Sequence, residues 1–93
     1  MGIRFTWNPR KARSNAVKNG ITFQEAASAF RDPLSVTTTE PRPYPEERLV
    51  LLGRSDVGRL VVVVHTYREG SVRLISARKP TRRERRDYEE GTI

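Results

Sequence analysis

The sequence predicts an α+β domain with elements in the order β-α-α-β-β-β-β-α. Three observations point there. Apolar residues fall at helical spacing before Pro33 and in extended runs from Leu34 to Ala77. Cap residues mark the helix ends. A length of 93 residues suits one compact domain, here taken as 1–93, with a thin core.

The elements follow in order. Ile3, Phe5 and Trp7 alternate with Arg4 and Thr6, as in a short strand with one buried face. Asn8 is a good N-cap, and Pro9 stands where a missing N–H costs nothing. The helix they open is expected to run to Lys18 and stop at Asn19-Gly20, with a meagre stripe of Ala12, Ala16 and Val17. A second helix starts at Thr22-Phe23-Gln24-Glu25, which spells a capping box, with Ile21 placed to staple against Ala26. It carries Phe23, Ala26, Ala27 and Phe30 and ends at Asp32-Pro33. The two helices are expected to form a hairpin on one edge of the domain.

Leu34 to Thr39 is β-prone. Pro41, Pro43 and Pro45 then forbid regular structure across a loop from Glu40. Glu46 to Gly53 reads as a strand and Arg54 to Gly58 as a polar turn. Leu60 to Thr66 reads as a central strand covered on both faces, because Val61 to Val64 are unbroken. Glu69-Gly70-Ser71 turns the chain into Val72 to Ala77. These strands make an antiparallel central sheet, closed by a polar helix that starts with the capping box Thr81 to Glu84 and has only Tyr88 to anchor it.

Charge is the loudest global signal: 18 Lys and Arg against 11 Asp and Glu, net +7. Arginine dominates, which suits a polyanionic partner such as nucleic acid or an acidic protein. No segment is long and apolar enough to span a membrane, and no signal core opens the chain, so a cytoplasmic protein is expected.

The inventory narrows the chemistry. Without cysteine there is no thiolate and no cysteine zinc site. With one histidine a pair of imidazoles is excluded, and acidic residues do not cluster for a metal; no cofactor is expected. Ser76 and Thr66 lack the surroundings of a nucleophile. His65 reads either as a satisfied strand histidine or as a general base. Two readings stay open. One is RNA cleavage through the RNA's own 2′-hydroxyl, which needs mainly a base, an acid and positive groups on the phosphate. The other is a non-catalytic basic nucleic-acid-binding module.

The arginines to examine are Arg68, Arg73 and Arg78 on the last hairpin, with Arg48 before it. A three-residue loop at Glu69-Gly70-Ser71 puts Arg68 and Arg78 on one face; a two-residue loop puts them on opposite faces. A shared arginine face is therefore expected to need the longer loop, with Gly70 near the left-handed region.

The ordered pattern Phe5-x-Trp7-Asn8-x-x-Lys11-x-x-x-Asn15-x-x-Lys18-x-Gly20-Ile21-x-Phe23-x-x-Ala26 resembles the start of the BrnT toxins. Phe30-x-Asp32-Pro33, Glu47-Arg48, Val64-x-Thr66-x-Arg68, Ile75-Ser76-Ala77-Arg78 and Glu84-Arg85-x-x-Tyr88 continue the resemblance over the chain. It implies a RelE-like fold and a ribonuclease toxin of a type II toxin-antitoxin system that arrests translation. It implies a BrnA-type antitoxin as partner, in a hetero-oligomer that can include a toxin dimer, with DNA reached only through the antitoxin. Carried over by position, Arg68 and Arg78 are the expected catalytic residues, with Lys18, Glu47 and Tyr88 in support. Arg48, Arg73, His65 and Lys11 are expected to contact RNA. Two positions depart from the pattern. Asn8 stands where an aspartate is usual, and Asn19 replaces the histidine of a Lys-His-Gly triplet. Asn19 cannot transfer a proton, so reduced activity is expected, and an inactive relative acting in operon repression is a third reading.

Overall fold

A computed structural model describes residues 2–91. Along the chain run β1 (Phe5–Thr6), α1 (Pro9–Asn19), α2 (Phe23–Ser28) with a 3₁₀ turn at Ala29–Arg31, β2 (Val36–Thr39), β3 (Leu49–Arg54), β4 (Leu60–Arg68), β5 (Ser71–Arg78) and α3 (Arg82–Glu90). The strands form one sheet in the order β1-β5-β4-β3-β2. The sheet is mixed: β2 to β5 are antiparallel neighbours, while β1 lies parallel to β5, with Phe5 beside Val72 and Thr6 beside Arg73. Parallel neighbours cannot be joined by a tight turn, and here everything from α1 to β4 lies between β1 and β5.

Local signals work as expected at the helix starts. The Asn8 side chain accepts from the backbone N–H of Arg10 and Lys11 at 2.9 and 3.2 Å. An aspartate offers the same acceptor, so Asn8 preserves the cap. At Thr81 both halves of the capping box form. At Thr22 only one half does: Thr22 accepts from Glu25 N–H at 3.0 Å. The Glu25 carboxylate is drawn away by Arg59, which donates through Nε and Nη2 at 2.8 and 2.7 Å, and by Ser55 at 2.7 Å.

The two helices divide the work: α1 runs beside the edge of β5, and α2 with the 3₁₀ turn lies over a face of the sheet. Ile21, Phe23, Ala26 and Ala29 close on Leu51, Val61, Val63, Val72, Leu74 and Ala77, with Phe5, Trp7 and Phe30 packed around them. Gly53 admits this approach, since a Cβ there would stand 3.0 Å from the Ala29 carbonyl oxygen. The expected apolar stripe of α1 is wrong at one end. Val17 is 90% exposed, and Asn15 is the buried residue of that helix.

The reason is an open sheet edge. β1 ends at Thr6, so β5 has no neighbouring strand beyond Arg73. The Asn15 carboxamide takes that place. It donates to Ala77 C=O at 2.9 Å and accepts from Ala77 N–H at 3.1 Å, as a neighbouring strand would. Asn19 donates to the same carbonyl at 3.0 Å and to Asn15 Oδ1 at 3.1 Å. A buried backbone pair left unmatched here would be costly, and two side-chain amides satisfy it. Asn19 therefore has a structural use that needs no proton transfer.

The opposite face is half covered. α3 lies over it at one end, near Leu52 and Val62, so β4 is covered on both faces there. Toward the β4–β5 turn no helix covers this face, and the segment before β3 crosses it at Thr66.

Candidate functional site

The β4–β5 hairpin decides which arginines meet. Its loop has two residues, Glu69 and Gly70, with Arg68 opposite Ser71. Both loop residues take positive φ, 48° and 81°, as a type I′ turn requires. That loop alone would send Arg68 and Arg78 to opposite faces. A β-bulge intervenes: His65 pairs with Leu74 but Val64 with Ser76, leaving Ile75 as an extra residue. The bulge flips the remaining strand, so Arg68, Arg73 and Arg78 all project from the face opposite α2. The shared face is real, but a bulge produces it and not the three-residue loop.

Sharing a face does not bring all three together. Arg78 pairs with Val62 and Arg68 with Ser71, six residues apart along β4, or about 20 Å. Arg78 is also held by a bidentate carboxylate. Its Nη1 and Nη2 donate to the two oxygens of Glu84 at 2.8 and 3.0 Å, and Nη1 reaches Lys79 C=O at 3.2 Å. The hydrogen bond with Glu84 raises Arg78's proton affinity and holds the Glu84 carboxyl below its usual range.

Arg68 and Arg73 instead line a cleft of about 180 Å³ with Lys11, Glu46, Arg48 and Thr66. Four stretches of chain supply it. β4 and β5 present Arg68 and Arg73; the start of α1 presents Lys11. The segment before β3 is pinned when Thr66 Oγ1 donates to Glu47 C=O at 2.7 Å. Four cations and one carboxylate line the cleft. Glu46 lies between Arg68 Nη2 at 3.4 Å and Arg48 Nη2 at 3.7 Å, loose contacts that leave most guanidinium donors free. Arg48 stacks on Tyr44, its guanidinium carbon 3.8 Å from the ring centroid. Its Nε is buried without a hydrogen-bond partner.

The other expected site residues lie elsewhere. The Glu47 side chain is exposed, and it is the neighbouring Glu46 that enters the cleft. Lys18 lines an adjoining groove that shares Lys11 and Ile75 with the cleft. His65 is 1% exposed, on the helix-covered face, with its ring against Phe30. Burial lowers its proton affinity, opposed by the bond from Nδ1 to Val63 C=O. It cannot touch RNA from there, and the expected RNA contact at His65 is withdrawn. Tyr88 is an anchor at the far end of the sheet: its hydroxyl donates to Asp32 at 2.6 Å. Burial and that carboxylate raise Tyr88's pKa. Burial also pushes Asp32 up, but the Tyr88 hydroxyl and the N–H groups of Arg54 and Leu34 outweigh it and hold Asp32 low.

Glu46 was legible in principle. It shares strand parity with Arg48, whereas Glu47 does not. Among the described residues no group of three His, Asp or Glu side chains is placed to hold a metal, and no helix is long and apolar enough to cross a membrane.

Comparison with known proteins adds three findings. A family model described as the ribonuclease toxin BrnT of type II toxin-antitoxin systems matches residues 7–84. The crystal structure of the Brucella abortus ribonuclease toxin BrnT superposes with a TM-score of 0.59 at 18% identity, covering 87% of this chain and 100% of that one, a likeness of fold. No curated protein matches the chain.

Proposed function

The chain belongs to the BrnT family of ribonuclease toxins of type II toxin-antitoxin systems, and from that premise we propose that it is a metal-independent endoribonuclease whose working site is the arginine cleft. The observation that carries this reading is the grouping of Arg48, Arg68, Arg73 and Lys11 around Glu46, with donors unspent. In this reading the RNA phosphate displaces Glu46 from its loose contacts. Arg68, Arg73 and Arg48 hold the non-bridging oxygens as charge builds on the phosphorane. Glu46 takes the proton of the 2′-hydroxyl, the 2′-oxygen bonds to phosphorus, and the bond to the 5′-oxygen breaks. Lys11 protonates that oxygen. The products are a 2′,3′-cyclic phosphate and a 5′-hydroxyl, and no metal or cofactor takes part.

The family brings an antitoxin as partner. A BrnA-type antitoxin, operon control through its DNA binding, translation arrest in the cytoplasm and kinship with RelE-like folds belong to the same reading. Arg78 leaves the catalytic set here and serves to hold α3; Lys18 and Glu47 flank the site without entering the chemistry.

Single-stranded RNA incubated with the purified protein in chelator provides the test. Wild type should yield cyclic-phosphate ends. Arg68→Ala should cut on the order of 10²-fold more slowly, the loss typical of one transition-state donor, with an unchanged melting curve. RNA that is bound in a salt-sensitive way by wild type yet stays intact would decide for the binding module instead.

A further inference from the structure

The proline-rich loop before β3 is left unused by the chemistry above, yet it carries the aromatic ring beside the cleft. Tyr44 is half-buried. Arg48 lies 3.8 Å from its centroid, at stacking distance, and itself lines the cleft. Arg42, 73% exposed and 3.6 Å from Glu40, stands 5.9 Å from the same centroid. The loop is pre-organised. Pro41, Pro43 and Pro45 fix φ on alternate residues, and Glu40 N–H donates to Arg48 C=O at 2.8 Å, closing the loop at its base. Other aromatic rings are committed. Phe5, Trp7 and Phe30 pack against the core, Phe23 is within it, and Tyr88 is tied to Asp32. Tyr67 is exposed, but it stands on the opposite face of β4 from Arg68.

We propose that Tyr44, layered with Arg48 and flanked by Arg42, is a base-stacking subsite that seats a nucleobase next to the phosphate held in the cleft. Its ligand class is an unpaired nucleobase of RNA, and it rests on the RNA reading of the cleft given above. The chemistry fits at each layer. Tyrosine and guanidinium planes both stack on bases, and a cation layered on the ring strengthens the stack. Arg48 joins the two functions, since its Nη2 stands 3.7 Å from Glu46 while its guanidinium carbon lies over the ring. Because every base has a π-face, this subsite favours single-stranded over paired RNA without choosing strongly among bases. Glu46, two residues on, places the anion site one short step from the ring.

The experiment uses the full chain and short oligoribonucleotides made uncleavable by 2′-deoxy substitution. Their affinities are compared with those of sugar-phosphate oligomers of the same length lacking bases. Wild type should bind the base-bearing oligomer about tenfold tighter than the abasic one. Tyr44→Leu should erase that difference while leaving the affinity for the abasic oligomer unchanged, and Tyr44→Phe should keep it. Equal loss of affinity for both oligomers in Tyr44→Leu, with the difference intact, would mean the ring only props Arg48 and would overturn the proposal. So would Tyr44→Leu retaining the full difference, or Tyr44→Leu losing affinity for an antitoxin protein alone. Melting of Tyr44→Phe and Tyr44→Leu near the wild-type temperature confirms that folded protein is compared. The readout is separate from cleavage: base discrimination in a protein that leaves RNA intact sinks the ribonuclease reading and spares this one, and cleavage without base discrimination does the reverse.

Discussion

One face of the sheet holds two arginine sites that differ in how many acceptors surround them. At the α3 end Arg78 is clamped by both oxygens of Glu84, and Tyr88 is clamped by Asp32. At the turn end Arg48 and Arg68 share the loosely placed Glu46, and Arg73 lines the same cleft. A guanidinium whose donors are spent on a carboxylate fixes structure; one whose donors are unspent is available for a phosphate. Residue type and even facing direction are alike at the two ends. What separates them is the company brought by α3.

The comparison is broken most sharply by the pair Arg68→Ala and Arg78→Ala. Arg68→Ala should cost on the order of 10²-fold in cleavage with no change in melting. Arg78→Ala should cleave within about threefold of wild type and lose up to about 1 kcal/mol of stability, since the ion pair is partly exposed and screened. Equal loss of cleavage in both would erase the distinction between the two ends. A similar but purely structural effect is expected at the sheet edge. Asn15→Leu removes the bonds that match Ala77 and should destabilise by about 2–3 kcal/mol in urea unfolding. A wild-type midpoint there would mean that the carboxamide is not standing in for a strand.

Acid should weaken the clamped groups in two stages. His65 is held neutral by burial, so the unfolded chain takes up a proton that the folded one refuses. Stability then falls as pH drops below the ordinary histidine value of 6.5. Glu25, Glu84 and Asp32 are all held below their ordinary values, 4.5 for the glutamates and 3.8 for the aspartate. Their contribution is complete above those values and is lost as pH falls through the lower folded ones. Melting temperature against pH should show both stages, with His65→Gln flattening the upper and Glu84→Gln the lower. The smallest effect is expected for His65→Gln on RNA binding, within about twofold at pH 7.5, since electrostatic affinity comes from cations that contact phosphate. A larger loss in an anisotropy titration would return His65 to the RNA surface.

The local parts of this fold are written in short stretches of chain. Asn8-Pro9, Thr22, Thr81 and Asn19-Gly20 mark helix ends through bonds to residues at most four away. The valine run announces a buried central strand. The site was legible only in pieces. Glu46 and Arg48 share parity, a signal that the resemblance at Glu47-Arg48 obscured. Arg68 and Arg78 looked equivalent because alternation cannot see a bulge. Val17 looked like an inward residue because apolar character usually reports burial, whereas the open edge of β5 called for the amide of Asn15.

By itself the sequence determined the element order, the helix caps, the excess of arginine and the want of a histidine pair or a thiolate, because each depends on composition or on neighbours along the chain. Tertiary structure decided which arginines are free. The Ile75 bulge set their face, the approach of α3 filled Arg78, and the start of α1 and the loop before β3 brought Lys11 and Glu46 to Arg68. Lys11 and Glu46 lie far from Arg68 in sequence, and Arg78 meets the nearby Glu84 only because α3 folds back over the sheet; what settles these pairings is how segments compete for the same donors once packed.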